Sequence, residues 1–153
     1  MGGAVSWAGP DPAPVWFDLA REFTERWHHQ QQIRDATGRA PLYDPYFLSP
    51  VLDTFVRALP YAYRNASAPV ETSVKFEISG EGGGIWFIFK GEEAWTLLLD
   101  PTCEPVTNVV IPQDVAWRLF TKGMDREKAR SLAVIHGKAG LAAPIFATTA
   151  IIG

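Results

Sequence analysis

The stretch FTERWHHQQQIRD, Phe23 to Asp35, holds the residues of this 153-residue chain best suited to chemistry. Glu25 and His29 are four apart, so a helix through them stacks the two side chains one turn over the other. A carboxylate oxygen and an imidazole nitrogen so placed are two donors for one borderline cation such as zinc, with further positions open to water or a thiol. A solvated face accounts for them equally simply. On a helix they project roughly 160–240° from the apolar stripe and share that side with Asp18, Arg21 and Gln32. His28 points elsewhere and reads as a packing or solvent residue. Cys103, in DPTCEP, has no histidine at a motif-like spacing and reads as a spectator thiol. GEGGG lacks the Lys-Ser/Thr of a phosphate loop and does not open a helix, so it reads as a hairpin. Trp86, Phe87, Phe89 and Trp95 read as core and sheet packing ahead of a ligand cage.

These residues need elements to position them. Val15 to about Thr37 contains no Gly or Pro. Trp16, Leu19, Phe23 and Trp27 recur there at three- and four-residue steps, one stripe of an amphipathic helix capped by Gly38. RAPLYDPYFLSP reads as a connector because of its prolines. VLDTFVRALPYAYRN reads as a second helix, bent or ended at Pro60. From Glu71 the apolar period shortens to two: ETSVKFEISG, IWFIFK and AWTLLLD are predicted as an antiparallel meander, with TNVVIP as a fourth strand. QDVAWRLFTKG is predicted as a helix stopping at Gly123, SLAVIHG as a last strand, and KAGLAAPIFATTA as a small-residue helix kinked or started at Pro144. The expected class is α+β, an antiparallel sheet of about five strands with packed helices, preceded by two N-terminal helices.

Composition bounds the function. With 47% hydrophobic and 20% charged residues the chain can bury a sizeable core. A net charge of -3, a pI near 5.6 and no Lys/Arg cluster provide no electrostatic footprint for nucleic acid or an anionic membrane. One cysteine and no signal-like start point to the cytoplasm.

The run VKFEISGEGGGIWFIFKGEEAWTLLLD, followed by DVAWRLFTKGMD and VIHGKAGLAAPIF, resembles the sterol-carrier-protein-type-2-like C-terminal domain of the mycothiol-dependent maleylpyruvate isomerase family. VSWAGPDPAP followed by FTERWHHQQQIRDATG is similar to the last helix of that family's DinB-like four-helix bundle, which carries Glu-x-x-x-His for zinc. The resemblance spans about Val5 to Ile151. It implies residues 1–66 as a helical remnant of the bundle with its connector, and 67–153 as a sterol-carrier-like domain. It further implies Glu25 and His29 as metal ligands, zinc and mycothiol as cofactors, and zinc- and thiol-dependent isomerase or transferase chemistry if the chain is active.

The sequence departs from that pattern in two respects. The bundle's first three helices, which carry the remaining ligand histidine, have no counterpart, and His136, in a predicted strand, is a poor substitute. Gln32 stands where the family often has an acid, which weakens the outer support of a metal ligand. The primary expectation is therefore a truncated family member without a full catalytic site of its own. The alternative is a non-enzymatic module that binds an apolar small molecule or mediates assembly. In either case the tryptophan-bearing stripe has too little of the chain to cover it. A homodimer, or a partner chain supplying the missing helices, is expected.

Overall fold

The computed structural model describes residues 15–148. The first helix, α1, runs Val15–Ala36, and Gly38 closes it with φ +68. There the Arg39 N–H returns to the Arg34 carbonyl at 2.8 Å, the wrap that a left-handed residue permits. The second helix, α2, spans Pro45–Val56 and so begins inside the segment expected to be a connector. Asp44 explains this: its carboxylate accepts from the Tyr46 N–H, and Pro45 sits in the first turn, where no N–H is needed. Pro60 opens a new turn, α3 (Leu59–Ala62), instead of ending the region.

Five strands follow the helices, β1 (Ser73–Ser79), β2 (Gly84–Lys90), β3 (Trp95–Leu98), β4 (Thr107–Pro112) and β5 (Val134–Gly137). Their order in the sheet is β3-β2-β1-β4-β5. The meander is antiparallel as expected, but β4 lies parallel to β1, so the sheet is mixed. Val74, Phe76 and Ile78 alternate identically beside a parallel or an antiparallel neighbour, and the period therefore carried no information on direction. Residues 99–106 make the crossing. Eight residues can span about 26 Å, enough to return to the start of β4.

Helix α4 (Gln113–Phe120) leaves β4 directly. A six-residue helix that the period did not reveal, α5 (Arg126–Ser131), follows, capped by the Asp125 carboxylate accepting from Glu127 and Lys128 N–H groups. The predicted small-residue helix is a 3-10 turn, Ala139–Leu141, and a short α6, Ala143–Phe146; its tail beyond residue 148 lies outside the described residues.

One buried cluster unites Leu48, Val51, Leu52 and Phe55 of α2 with Val74, Phe76 and Ile78 of β1, Trp86 and Ile88 of β2, and Trp117 and Phe120 of α4. It draws on both sides of residue 66. The four tryptophans in it all place their indole N–H, as buried aromatics with a polar atom must. Trp27 donates to the Leu42 carbonyl at 3.0 Å, Trp86 to Asp53 at 3.2 Å, Trp95 to the Ala66 carbonyl at 3.3 Å and Trp117 to the Tyr43 hydroxyl at 2.6 Å.

Helix α1 buries only part of its apolar pattern. Trp27 is 4% exposed, but Trp16, Leu19 and Phe23 are 50%, 63% and 40% exposed, and Ile33 is 56% exposed. The inward face carries Phe17, Thr24, Trp27, His28 and Gln31. The returning chain is held on this inward face. Leu42 needs partners for both backbone groups, and α1 provides them: Gln31 Oε1 accepts from its N–H at 2.9 Å and the Trp27 indole donates to its carbonyl.

Candidate functional site

Small side chains in three segments line an open groove of about 710 Å³. Ala62 and Ala66 form one wall, and Gly140, Leu141, Ala143 and Pro144 the other. Arg126, at the start of α5, and Lys138, just after β5, also line it. Its lining holds two cations and no carboxylate, which favours an anionic group at the mouth and an apolar body along the alanine walls.

The walls are tied together beneath the groove. The Tyr63 hydroxyl donates to the Leu141 carbonyl, and the Trp95 indole holds the Ala66 carbonyl. Burial pushes the Tyr63 phenol above its ordinary pKa, so it stays protonated and keeps donating. A second hollow of about 470 Å³ lies on the other face of the sheet, where Pro101–Pro105 pass over Lys75, Phe87 and Asn108. Cys103 lines it, and its thiol donates to the Glu71 carbonyl at 3.0 Å.

The sequence-predicted metal pair sits on α1, far from these features in the chain and on its outer side. The Glu25 carboxylate is 3.0 Å from the Arg21 guanidinium, and His29 is exposed. Two donors are short of the three or four protein ligands a zinc site takes. Among the described residues no group of three or more His, Cys, Asp or Glu side chains is placed for a metal. The chain's own described residues thus do not complete the site. His136 is exposed on β5, opposite Asn108 in the ladder, and joins neither residue.

His28 has a packing role. It is buried beside the Trp117 ring at 6.0 Å between centroids, and burial, together with the neighbouring His29, lowers its pKa. Trp86, Phe87 and Trp95 are buried and Phe89 is half-buried, in keeping with packing. Gly83 explains the GEGGG turn. A Cβ there would stand 1.8 Å from the Ile78 carbonyl oxygen, so the hairpin between β1 and β2 closes only with glycine.

The residue pattern of catalysis did not reveal the groove. Arg126 and Lys138 are isolated charges in sequence, and α5 is too short to show a helical period. The one local signal was Asp125 followed by Glu127, a capped helix start.

No family model and no curated protein matches the sequence. Solved structures that are similar to it include the ubiquinone synthesis protein UbiJ-SCP2, 17% identical over 68% of this chain and 90% of that one, TM-score 0.41. Another is sterol carrier protein 2 like 2 of Aedes aegypti, 15% identical over 83% of this chain and 96% of that one, TM-score 0.42. A sterol carrier protein domain 2 of Helicoverpa armigera is 18% identical over 66% of this chain and 78% of that one, TM-score 0.39. All three carry the sterol-carrier name. No described helix is long and apolar enough to cross a membrane.

Proposed function

We propose that the chain is a small-molecule-binding module whose groove takes an amphipathic anion, an apolar body with one carboxylate or phosphate head. The observation that carries this reading is the groove's composition: apolar walls of small side chains, with Arg126 and Lys138 as its charged groups. Alanine and glycine walls offer apolar area without long side chains to fill the space. The two cations supply orientation, since a head group left in the apolar part would lose its hydration. The setting is cytoplasmic, where Cys103 stays reduced.

Titration calorimetry with dodecanoate and dodecanol tests this directly. Dodecanoate is expected to bind the wild type at least about tenfold more tightly than dodecanol, a gap of about 1.4 kcal/mol. Arg126→Gln/Lys138→Gln should remove that preference and leave dodecanol unchanged. Equal binding of the two by the wild type, or no binding of either, refutes the reading.

A second reading retains the maleylpyruvate isomerase resemblance, with Glu25 and His29 as ligands of a zinc completed by another chain. What favours it is the accessibility of the two side chains on consecutive turns of α1. Elemental mass spectrometry of zinc in the purified protein decides it. Stoichiometric zinc lost in His29→Ala supports it; zinc absent from both proteins removes it.

A further inference from the structure

The polar lining of the groove extends beyond its two cations. Asn65 and Ser67 also line it, beside Arg126 and Lys138, and no Asp or Glu does. Among the described residues none of these four side chains has an ion pair or hydrogen bond within the chain. Asp125, the acidic neighbour of Arg126, is engaged elsewhere, its carboxylate accepting from the Glu127 and Lys128 N–H groups. The backbone behind the four donors is nonetheless fixed. The Ala66 N–H donates to the Tyr63 carbonyl at 2.8 Å and the Ala66 carbonyl accepts from the Trp95 indole, which holds the segment carrying Asn65 and Ser67. The Lys138 carbonyl accepts from the Leu141 N–H at 3.0 Å and from the Thr107 hydroxyl at 3.1 Å. Arg126 opens α5, where the Ala129 N–H returns to the Asp125 carbonyl at 3.0 Å. Anchored backbone with unengaged side-chain tips is the arrangement of a prepared binding site.

We infer that Asn65 and Ser67, together with the two cations, select a phosphate monoester over a carboxylate as the head of the groove's ligand. This inference rests on the groove reading and narrows it. Charge is the first ground. A phosphate monoester carries close to two negative charges at neutral pH and so balances both Arg126 and Lys138, whereas a carboxylate leaves one cation uncompensated. Shape is the second. The three terminal phosphate oxygens point to three corners of a tetrahedron, and the donors arrive from three segments, residues 65–67, the start of α5 and the residue after β5. The guanidinium fork and the lysine ammonium serve two oxygens, and Asn65 and Ser67 are then available to the third. The alanine walls take the apolar body as before.

Titration calorimetry of the full chain at pH 7.5 compares dodecyl phosphate with dodecanoate, whose similar tails leave the head as the difference. Dodecyl phosphate is expected to bind at least about tenfold more tightly. Asn65→Ala/Ser67→Ala should weaken it at least about fivefold, while leaving dodecanoate within about twofold and the thermal melt unchanged. At pH 5.5 the phosphate has taken up a proton, its second pKa being about 6, and its lead over dodecanoate should shrink. Inorganic phosphate has the head without the body and is expected to bind at least about a hundredfold more weakly than dodecyl phosphate. Equal binding of those two would assign the donors to a free ion and overturn the inference. Dodecanoate binding as tightly as dodecyl phosphate, or a double variant that keeps the wild-type preference, overturns it while the groove reading stands. Failure of both amphiphiles to bind removes the groove reading and the inference together.

Discussion

Single residues carry the join between α1 and the rest of the chain. The Tyr43 hydroxyl donates to Asp114 and accepts from the Trp117 indole, and burial with the Asp114 hydrogen bond pushes its pKa up to about 12. Arg118 reaches Asp114 at 3.3 Å and Asp35, near the end of α1, at 2.9 Å. Tyr43→Phe would leave the indole N–H of buried Trp117 without its acceptor, at a cost of about 1–3 kcal/mol. Urea unfolding should show that loss as a lower midpoint at unchanged slope. His28 makes the same join sensitive to pH. Its folded pKa lies below the ordinary 6.5, so the unfolded chain binds its proton more readily. The contribution of this residue is complete above about pH 6.5 and declines as pH falls from there toward the folded value. Unfolding free energies measured at pH 7.5 and 5.5 should fall more for wild type than for His28→Gln; equal falls would clear His28.

At the scale of elements, turn chemistry and period two were legible, whereas helix orientation was not. The β1–β2 hairpin followed from VKFEIS, GEGGG and IWFIFK, because alternation and glycine act between neighbours in sequence. Its test is Gly83→Ala. The added methyl has no room beside the Ile78 carbonyl, and a loss on the order of 2–3 kcal/mol is expected in thermal or urea unfolding. Helix α1 was legible as a helix, with the correct cap at Gly38, and its stripe was expected to find too little of the chain to cover it; Trp16, Leu19 and Phe23 are exposed, while Trp27 of the same stripe is buried. The Thr24, His28 and Gln31 face lies toward the core, and Gln31 there holds the backbone N–H of Leu42, eleven residues further on. Glu25 and His29 were correctly placed one turn apart on that helix. That no third metal donor stands beside them among the described residues was invisible, because it depends on what packs beside α1.

For the whole molecule, the single core matters most. Leu48, Val51, Leu52 and Phe55 precede residue 67, yet they are buried together with the sheet residues Phe76, Trp86 and Ile111. A chain beginning at residue 67 would expose that side of the sheet, far more than the few kcal/mol by which a domain is stable. Residues 67–153 produced alone are therefore expected to lack near-ultraviolet circular dichroism and a cooperative melt. A sharp transition in that fragment would show that the sheet half folds on its own.

The amino-acid sequence alone determined what is set between near neighbours: five strands from period two, α1 from its uninterrupted run, its end at Gly38, an α+β class, and a charge balance unsuited to nucleic acid. Tertiary structure decided what depends on residues far apart in the chain. It set the parallel pairing of β1 with β4, since alternation is blind to direction. It buried Trp27 of the α1 stripe and left Trp16, Leu19 and Phe23 exposed, since what packs beside the helix is set by residues beyond the connector. It also gathered Ala62, Arg126, Lys138 and Ala143 into one groove. These groups have no local periodicity, and only the packing of α3, α5 and α6 brings them together.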